Sequence, residues 1–267
     1  GIAVPMLLGA LGVENVTCIH CEPTGEFAHN PEPLPAHLTD LSETILSEKA
    51  DLGITVDPDV DRLAMVCEDG TMFGEEYTLV AVADYVLSQK GGTTVSNLSS
   101  TRALRDVTER HGHEYFASAV GEVNVVEKMK AVNAVIGGEG NGGVILPELH
   151  YGRDALVGIA IFLTQLAKFG KKVSELRDSY PKYTISKNKI QLTPEINVDN
   201  VLMEMAKRYA KNEVDSTDGV KIYFEKEWVH LRKSNTEPII RIYSESQNEE
   251  QANSLAEKII KEIEGII

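Results

Sequence analysis

Cysteine and long apolar runs are both scarce in this sequence of 267 residues. Three cysteines are too few, and odd in number, for the disulfide framework of a small secreted protein, which favours a cytoplasmic location. The most apolar stretch, residues 155–167, is shorter than the roughly 20 apolar residues that a membrane-spanning helix needs. Residues 1–12 lack the basic segment of a signal peptide. These scarcities predict a cytoplasmic protein that has no membrane partner.

Basic residues are also few. Lys and Arg total 26 against 41 Asp and Glu, which gives a formal net charge of −15. A protein that binds nucleic-acid phosphates needs a surplus of basic side chains on its binding face, so this balance argues against nucleic acid as a partner. The charged fraction of 25% and the apolar fraction of 42% are typical of a folded globular chain. At about 100–200 residues per domain, the length predicts two or three domains.

Short apolar runs alternate with helical patterns through the first two thirds of the chain. Runs typical of buried strands occur at 16–19, 52–56, 94–98, 115–119 and 134–136. Helical spacing of apolar residues occurs at 35–49, 76–88, 101–111, 124–132 and 154–168. This alternation predicts an α/β fold with a mostly parallel sheet that helices cover on both faces.

The pattern changes after about Tyr183. A helix predicted at 198–211 is followed by strand-like runs at 220–224, 228–231 and 239–243 and by a helix at 249–264. Asn248, with Gln251 three residues later, is suited to cap that last helix. Strands followed by a helix predict a small α+β domain, and the divisions between domains are predicted near Phe73 and Lys182.

Three carboxylates at alternate positions directly follow the strand predicted at 52–56. Asp57, Asp59 and Asp61 can converge only around a shared cation, because their mutual repulsion is otherwise costly. Hard oxygen ligands suit Mg²⁺, which is often completed by a substrate phosphate that Arg62 would help to hold. A calcium loop of the EF-hand type is excluded, because its sixth position requires Gly and is Arg62 here. An acidic surface turn without a ligand is the alternative.

A glycine-rich segment, Gly137-Gly138-Glu139-Gly140-Asn141-Gly142-Gly143, follows the strand predicted at 134–136. It matches the G-x-G-x-x-G pattern of dinucleotide-binding proteins, but an extended segment ending in Pro147 follows it instead of a helix. We therefore predict a flexible loop that brings Glu139 and Asn141 to a polar ligand, since a carboxylate and an amide suit the hydroxyls of a sugar. A plain glycine-rich turn is the alternative.

A polar loop lies between two predicted strands of the last domain: Arg232-Lys233-Ser234-Asn235-Thr236-Glu237-Pro238. An arginine, two hydroxyls, an amide and backbone N–H groups form a cradle that is suited to an anion. An ordinary hairpin loop is the alternative.

Two other patterns do not carry a function. Cys18 and Cys21 form a C-x-x-C pair, but a structural zinc site needs a second pair and only Cys67 remains. His29 is preceded by Ala28, which has no nucleophilic group. The other histidines show no triad spacing, so we expect them to be solvated or satisfied in the core.

In this order and at these spacings, the three polar loops resemble those of the α-D-phosphohexomutase family, which includes phosphoglucomutase, phosphomannomutase and phosphoglucosamine mutase. The family's metal loop D-G-D-x-D-R is matched at 57–62, with Pro58 in place of Gly. Its phosphate loop R-x-S-N/G-T-x-P is matched at 232–238. Its sugar loop G-E-x-S/N-G is matched at 138–142, and many members continue with His where this chain has Gly143. The resemblance extends over the whole chain.

The resemblance implies parallel-sheet α/β domains 2 and 3 and a small α+β domain 4, at residues 1–73, 74–182 and 183–267. The family's phosphoserine lies in a T-x-S-H-N-P loop of its first domain, and no such loop occurs in the sequence, which begins at Gly1. We therefore expect a C-terminal fragment, inactive alone, of a Mg²⁺-dependent mutase. That enzyme would interconvert hexose 1-phosphate and hexose 6-phosphate through a bisphosphate intermediate.

The resemblance also implies a role for each loop. Asp57, Asp59 and Asp61 would bind Mg²⁺, and Arg62 would be catalytic, orienting the phosphoryl group that is transferred. The residues that would bind a hexose phosphate (of glucose, mannose or glucosamine) are Glu139, Asn141, Arg232, Ser234, Asn235 and Thr236. Two alternatives are a binding module for sugar phosphates without catalysis and a Mg²⁺-dependent phosphatase with an aspartate nucleophile.

Overall fold

The computed structural model describes residues 1–193, 196–234 and 237–267. The chain divides into two compact units. The first comprises Gly1–Ser96, Ala103–Ala117 and Gly121–Tyr180, and the second comprises Asn97–Arg102, Ser118–Val120 and Pro181–Ile267. Within the described residues, every helix is too short or too polar to cross a membrane.

The first unit combines helices with two small sheets, which confirms the predicted α/β class. Its helices are α1 (Ala3–Ala10), α2 (Thr39–Glu48), α3 (Glu75–Lys90), α4 (Ala103–Arg110), α5 (Glu122–Ala131), α6 (Ala155–Phe169) and α7 (Val173–Asp178). Its strands are β1 (Leu52–Val56), β2 (Leu63–Cys67), β3 (Thr94–Asn97), β4 (Tyr115–Ser118), β5 (Ile136–Glu139) and β6 (Gly143–Ile145). The predicted helix at 35–49 is divided into a 3₁₀ turn, Pro35–His37, and α2.

The sheets of this unit are mixed rather than wholly parallel. Strands β3 and β5 are parallel in a four-stranded sheet of order β4-β3-β5-β6, whereas β5 pairs with β6 antiparallel. Strands β1 and β2 form a separate antiparallel pair. The reason lies in the two polar turns, 57–62 and 140–142, because a short turn can join neighbouring strands only when they run antiparallel.

Helices pack on both faces of the four-stranded sheet. Successive residues of a strand point to opposite faces, and a Cβ at Gly137 would point at Met129 of α5 whereas one at Gly138 would approach Leu79 of α3. On the α3 side, α6 packs against α3, and the rings of Phe73 and Phe162 meet edge to face at 5.0 Å between centroids. This packing holds the turns at the ends of β1 and β5 on a rigid core.

The prediction of a strand at 16–19 is wrong. Residues 16–19 are irregular, and Val16 exposes 42% of its surface. None of the described strands lies beside this run, so its backbone groups have no ladder partner. An apolar, β-branched run therefore does not form a strand here without a neighbour to pair with.

The second unit is an antiparallel sheet with two helices, as the α+β pattern predicted. Its strands are β7 (Thr184–Gln191), β8 (Glu213–Asp215), β9 (Val220–Tyr223), β10 (Trp228–Lys233) and β11 (Ile239–Ser246), in the order β7-β11-β10-β9-β8. Its helices are α8 (Val198–Arg208) and α9 (Glu249–Glu264). The side chain of Asn248 caps α9 by accepting a hydrogen bond from the Gln251 backbone N–H at 2.9 Å, as expected.

Strands β7 and β8 were not predicted from the sequence. Both are edge strands of the five-stranded sheet, and β7 carries Lys187 and Lys189 among other polar residues. Edge strands often bear charged side chains that discourage pairing with another chain, so their apolar pattern is weak.

Candidate functional site

The acidic segment forms the turn between β1 and β2. Asp57 follows the last residue of β1, and its Oδ1 accepts hydrogen bonds from the backbone N–H groups of Asp61 and Arg62, each at 3.0 Å. The Asp57 carbonyl oxygen also accepts from the Val60 backbone N–H at 3.1 Å, and Val60 adopts a left-handed conformation with φ of 60°. Asp57, which is only 6% exposed, therefore shapes the turn with Oδ1, and its Oδ2 takes no part in these backbone hydrogen bonds.

The structure brings the three aspartates of this turn together. Ligand atoms of Asp57, Asp59 and Asp61 lie within 4.8 Å of one another, and Asp61 Oδ1 is buried without a hydrogen-bond partner. The guanidinium Nε of Arg62 lies 3.5 Å from Asp57 Oδ2 and 3.7 Å from Asp61 Oδ1. Converging carboxylates with an unpaired buried oxygen fit a hard divalent cation, which would offset their repulsion and coordinate that oxygen.

The glycine-rich segment is a hairpin turn rather than the open, flexible loop that the sequence suggested. Glu139 is the last residue of β5 and is buried, and residues 140–142 turn directly into β6. The Asn141 side-chain Oδ1 accepts a hydrogen bond from the Gly143 backbone N–H at 3.2 Å. The short antiparallel connection holds Glu139 on the sheet, so the carboxylate is fixed by the strand and not by a mobile loop.

The acidic turn and the glycine turn lie side by side. The Leu63 backbone N–H donates to the Gly142 carbonyl oxygen at 3.1 Å, and Arg62 forms an antiparallel bridge with Gly143. Gly142 has φ of 89°, and a Cβ there would lie 2.3 Å from the Leu63 carbonyl oxygen. Only glycine permits this close approach of the two backbones. The predicted metal residues and the predicted sugar residues are therefore neighbours within the first unit.

Arg153 is a member of this site that sequence reasoning missed. It precedes Asp154, which caps α6 by accepting from the Val157 backbone N–H at 3.1 Å. The guanidinium forms a salt bridge with Asp61 through NH2 and another with Glu139 Oε2, 2.8 Å from NH1. No spacing rule connects a basic residue beside a helix cap to two distant carboxylates, so the sequence offered no signal for it.

The predicted phosphate loop begins at the end of β10 in the second unit. The Arg232 side chain is about one quarter exposed, and its NH1 lies 3.7 Å from Asp218 Oδ2. Ser234 is buried; its backbone N–H donates to the Ile239 carbonyl oxygen at 3.1 Å, and its hydroxyl accepts from the Glu237 N–H at 3.3 Å. Asn235 and Thr236 lie outside the described residues. The described part of the loop presents one partly exposed guanidinium.

His230 lies on β10, two residues before Arg232, and is satisfied in the core, as expected for a histidine without a triad. Its Nε2 donates to the Asp218 carbonyl oxygen at 2.6 Å, which leaves Nδ1 to accept from the Ser99 hydroxyl at 2.9 Å. Burial lowers the pKa of His230 to about 4, because the charged form of the ring would lose the solvation that water gives it. His230 is therefore neutral at pH 7.

Among the described residues, the aspartate triad is the one group of His, Cys, Asp and Glu side chains whose ligand atoms converge. Cys18 and Cys21 do not belong to it, and all three cysteines are free thiols. Burial raises the pKa of the Cys67 thiol to about 11, so it stays protonated at neutral pH.

Comparisons with known proteins show the family to which the chain belongs. Three family models match the chain: Phosphoglucomutase/phosphomannomutase alpha/beta/alpha domain II at residues 1–70, alpha/beta/alpha domain III at 74–183 and the C-terminal domain at 193–262. The chain is 37% identical over 267 residues to a phosphoglucomutase/phosphomannomutase of Thermococcus kodakarensis, covering 98% of this chain and 58% of the relative. It is 32% identical to a phosphoglucosamine/phosphogalactosamine mutase of Sulfurisphaera tokodaii, covering 99% and 59%.

Solved structures show the same likeness. A phosphoglucomutase/phosphomannomutase family protein from Burkholderia thailandensis aligns with a TM-score of 0.76 and 26% identity, over 87% of this chain and 51% of that one. A phosphoglucomutase from Paramecium shares the fold with a TM-score of 0.74 at 20% identity, over 99% and 56%. The chain spans between half and three fifths of the length of these relatives.

The fold, the matching family models and the similar proteins thus define a protein of the phosphohexomutase class. The chain belongs to the phosphoglucomutase/phosphomannomutase family and comprises its domains II, III and IV.

Proposed function

We propose that this chain supplies the metal-binding, sugar-binding and phosphate-binding parts of a Mg²⁺-dependent phosphosugar mutase, which interconverts hexose 1-phosphate and hexose 6-phosphate. The observation that carries the proposal is the convergence of Asp57, Asp59 and Asp61 beside Glu139. Membership of the family and the names of its relatives support it.

Asp57, Asp59 and Asp61 would hold Mg²⁺, and the bound ion would offset negative charge that develops on the transferring phosphoryl group. Arg62 would orient that group. Its guanidinium is one third exposed, and it already spans two of the three carboxylates, so it can reach an anion placed against the triad.

Glu139 and Asn141 would bind the sugar. A carboxylate accepts hydrogen bonds from hydroxyls, and an amide both donates and accepts, so the pair suits vicinal hydroxyls in either orientation of the ring. Arg232, Ser234, Asn235 and Thr236 would hold the phosphate that does not react. Binding energy from that remote phosphate would position the reacting end.

The phosphoryl donor of the proposed reaction is a phosphoserine, and the reaction passes through a hexose bisphosphate. The T-x-S-H-N-P loop that carries this serine in the family does not occur within the 267 residues. We therefore expect the chain by itself to bind hexose phosphate and Mg²⁺ but not to interconvert the two phosphates.

Calorimetric titration with MgCl₂ tests the metal site. We expect one ion per chain and at least tenfold weaker binding in Asp61→Asn, because the substitution replaces an anionic ligand with a neutral one. Asp51→Asn, which removes a charge from an exposed residue just before β1, is the matched control and should bind as the wild type does. Equal affinity for Mg²⁺ in all three proteins would contradict the proposed site.

Titration with glucose 1-phosphate tests the phosphate loop. Arg232→Ala should abolish the binding heat, whereas Lys233→Ala, which removes the same charge at a more exposed neighbouring side chain, should change the Kd less than twofold. Assays for glucose 6-phosphate and for inorganic phosphate accompany the titration. Formation of glucose 6-phosphate at enzymatic rates would refute the need for a phosphoserine, and release of inorganic phosphate would favour a phosphatase.

A further inference from the structure

We infer that Arg153 is a positioning residue that couples the acidic turn to Glu139, so that cation binding and sugar binding act on each other through one guanidinium group. The inference deepens the function proposed above and rests on it. The side chain of Arg153 is only 14% exposed although it is charged.

Three carboxylates from three separate elements surround this guanidinium. NH2 contacts Asp61 in the β1–β2 turn, NH1 contacts Glu139 at the end of β5, and Nε lies 3.5 Å from Glu122 Oε2 at the start of α5. Glu122 also accepts the Arg153 backbone N–H through Oε1 at 2.9 Å. A planar guanidinium has donors in fixed directions, so each carboxylate is held at a defined angle. Lysine has three donors on one freely rotating ammonium nitrogen, so it cannot hold all three carboxylates in fixed directions.

The salt bridges of Arg153 orient the carboxylates of Asp61 and Glu139. Arg153 takes Asp61 Oδ2 and leaves the buried Oδ1 without a hydrogen-bond partner, which is the oxygen that a cation would coordinate. At Glu139, Oε2 accepts from Arg153 and Oε1 accepts from the Gly121 backbone N–H at 3.2 Å. These contacts fix the orientation of the Glu139 carboxylate in which it would meet a sugar hydroxyl.

Gly143 provides the space that Arg153 occupies. A Cβ at Gly143 would lie 2.4 Å from Arg153 Cδ, closer than real Cβ contacts come, so any side chain at position 143 would displace the arginine. Many members of the α-D-phosphohexomutase family have His at this position. A histidine at position 143 would therefore compete with Arg153 for one volume in this structure.

A cation bound by Asp61 and a sugar bound by Glu139 would each act on a carboxylate that the Arg153 guanidinium contacts. A shift of the guanidinium towards one carboxylate weakens or strengthens its hold on the other, and any such coupling is reciprocal by thermodynamic necessity. We expect saturating Mg²⁺ to change the Kd of the wild-type chain for glucose 1-phosphate by at least tenfold. In Arg153→Lys we expect saturating Mg²⁺ to change this Kd by a factor below three, because lysine keeps the positive charge but lacks the planar guanidinium group.

The test is calorimetry of glucose 1-phosphate with and without MgCl₂, with Trp228 fluorescence and circular dichroism verifying folding. Gly143→Ala keeps the arginine but displaces it, so it should reduce the coupling as Arg153→Lys does. Arg177→Lys is the matched control, since that arginine donates to the Phe73 carbonyl oxygen and stacks on Tyr77, away from the site. Its coupling should equal that of the wild type.

The outcomes separate the inference from the function on which it rests. Full coupling in folded Arg153→Lys or Gly143→Ala would overturn the inference and leave the proposed function intact, because charge alone would then account for the effect. If the wild type binds both Mg²⁺ and glucose 1-phosphate but neither changes the affinity for the other, the inference is overturned and the proposed function is left intact. A wild-type chain that binds neither Mg²⁺ nor glucose 1-phosphate would overturn the proposed function and the inference together.

Discussion

Replacing His230 with Gln should change how the stability of the second unit depends on pH. The folded protein holds His230 neutral, because burial lowers its pKa from 6.5 to about 4. The unfolded chain takes up this proton near pH 6.5 and the folded chain only near pH 4. Between these values the unfolded state binds more protons, so stability falls as the pH falls. Gln keeps a donor for the Asp218 carbonyl oxygen and cannot titrate.

The expected magnitude follows from the difference in pKa. One pKa unit corresponds to about 1.4 kcal/mol, so lowering the pH from 7.5 to 4 should reduce the free energy of unfolding of the wild type, relative to His230→Gln, by about 3 kcal/mol. With urea m-values of about 1–3 kcal/mol/M, the difference between the two midpoints should shift by roughly 1–3 M. Contributions from other titrating groups cancel, because they are common to both proteins.

Urea titration followed by tryptophan fluorescence is the suitable assay. Trp228 is the single tryptophan of the chain, is fully buried and lies on β10 with His230, so its emission reports the unit that contains the substitution. His29→Asn, at an exposed position in the first unit, is the control and should leave the Trp228 transition unchanged at every pH. A difference between wild type and His230→Gln that stays constant from pH 7.5 to 4 would refute the reasoning.

Three further predictions concern stability. Burial raises the pKa of Glu245 to about 7, so the stability of the wild type relative to Glu245→Gln should fall as the pH rises from 4.5 to 7, as urea titrations of the two proteins would measure. Gly142→Ala should lower the free energy of unfolding by more than about 2 kcal/mol in thermal unfolding, because the new Cβ would meet the Leu63 carbonyl oxygen. Gly170→Ala is the control: it has a similar φ and no close neighbour, so it should lower the free energy of unfolding by about 1 kcal/mol. Asn248→Ala should cost about 1 kcal/mol by the same measurement, through loss of the α9 cap.

Local signals in the sequence were sufficient for seven of the nine described α-helices and for the acidic turn, whereas α1 and α7 were not predicted. The spacing of apolar residues predicted α9 with its exact bounds, because its buried face repeats at the helical period and Asn248 marks its start. The alternate aspartates predicted a convergent triad, because closing a short turn with three like charges is costly without a shared cation. Both depend on residues that are close in the sequence.

Features that depend on distant partners were not predictable. The run at 16–19 has the composition of a strand, but pairing is decided by a neighbour that no local pattern reveals. The edge strand β7 shows the converse, since its polar residues Lys187 and Lys189 conceal a strand whose backbone pairs along all of β11. Strand propensity describes a fit to a half-buried surface, and the surface is a property of the whole fold.

The net charge of −15 makes the position of each guanidinium decisive for an anionic ligand. The field of the whole chain repels hexose phosphates, so attraction must arise from cations placed within a few ångströms of the ligand, where they outweigh charges beyond the screening length. Arg62 is one third exposed, whereas Arg153 is only 14% exposed and is surrounded by carboxylates. In the proposed function we therefore expect different roles for the two arginines: Arg62 would meet a phosphoryl group, and Arg153 would set the geometry of the acidic groups around it.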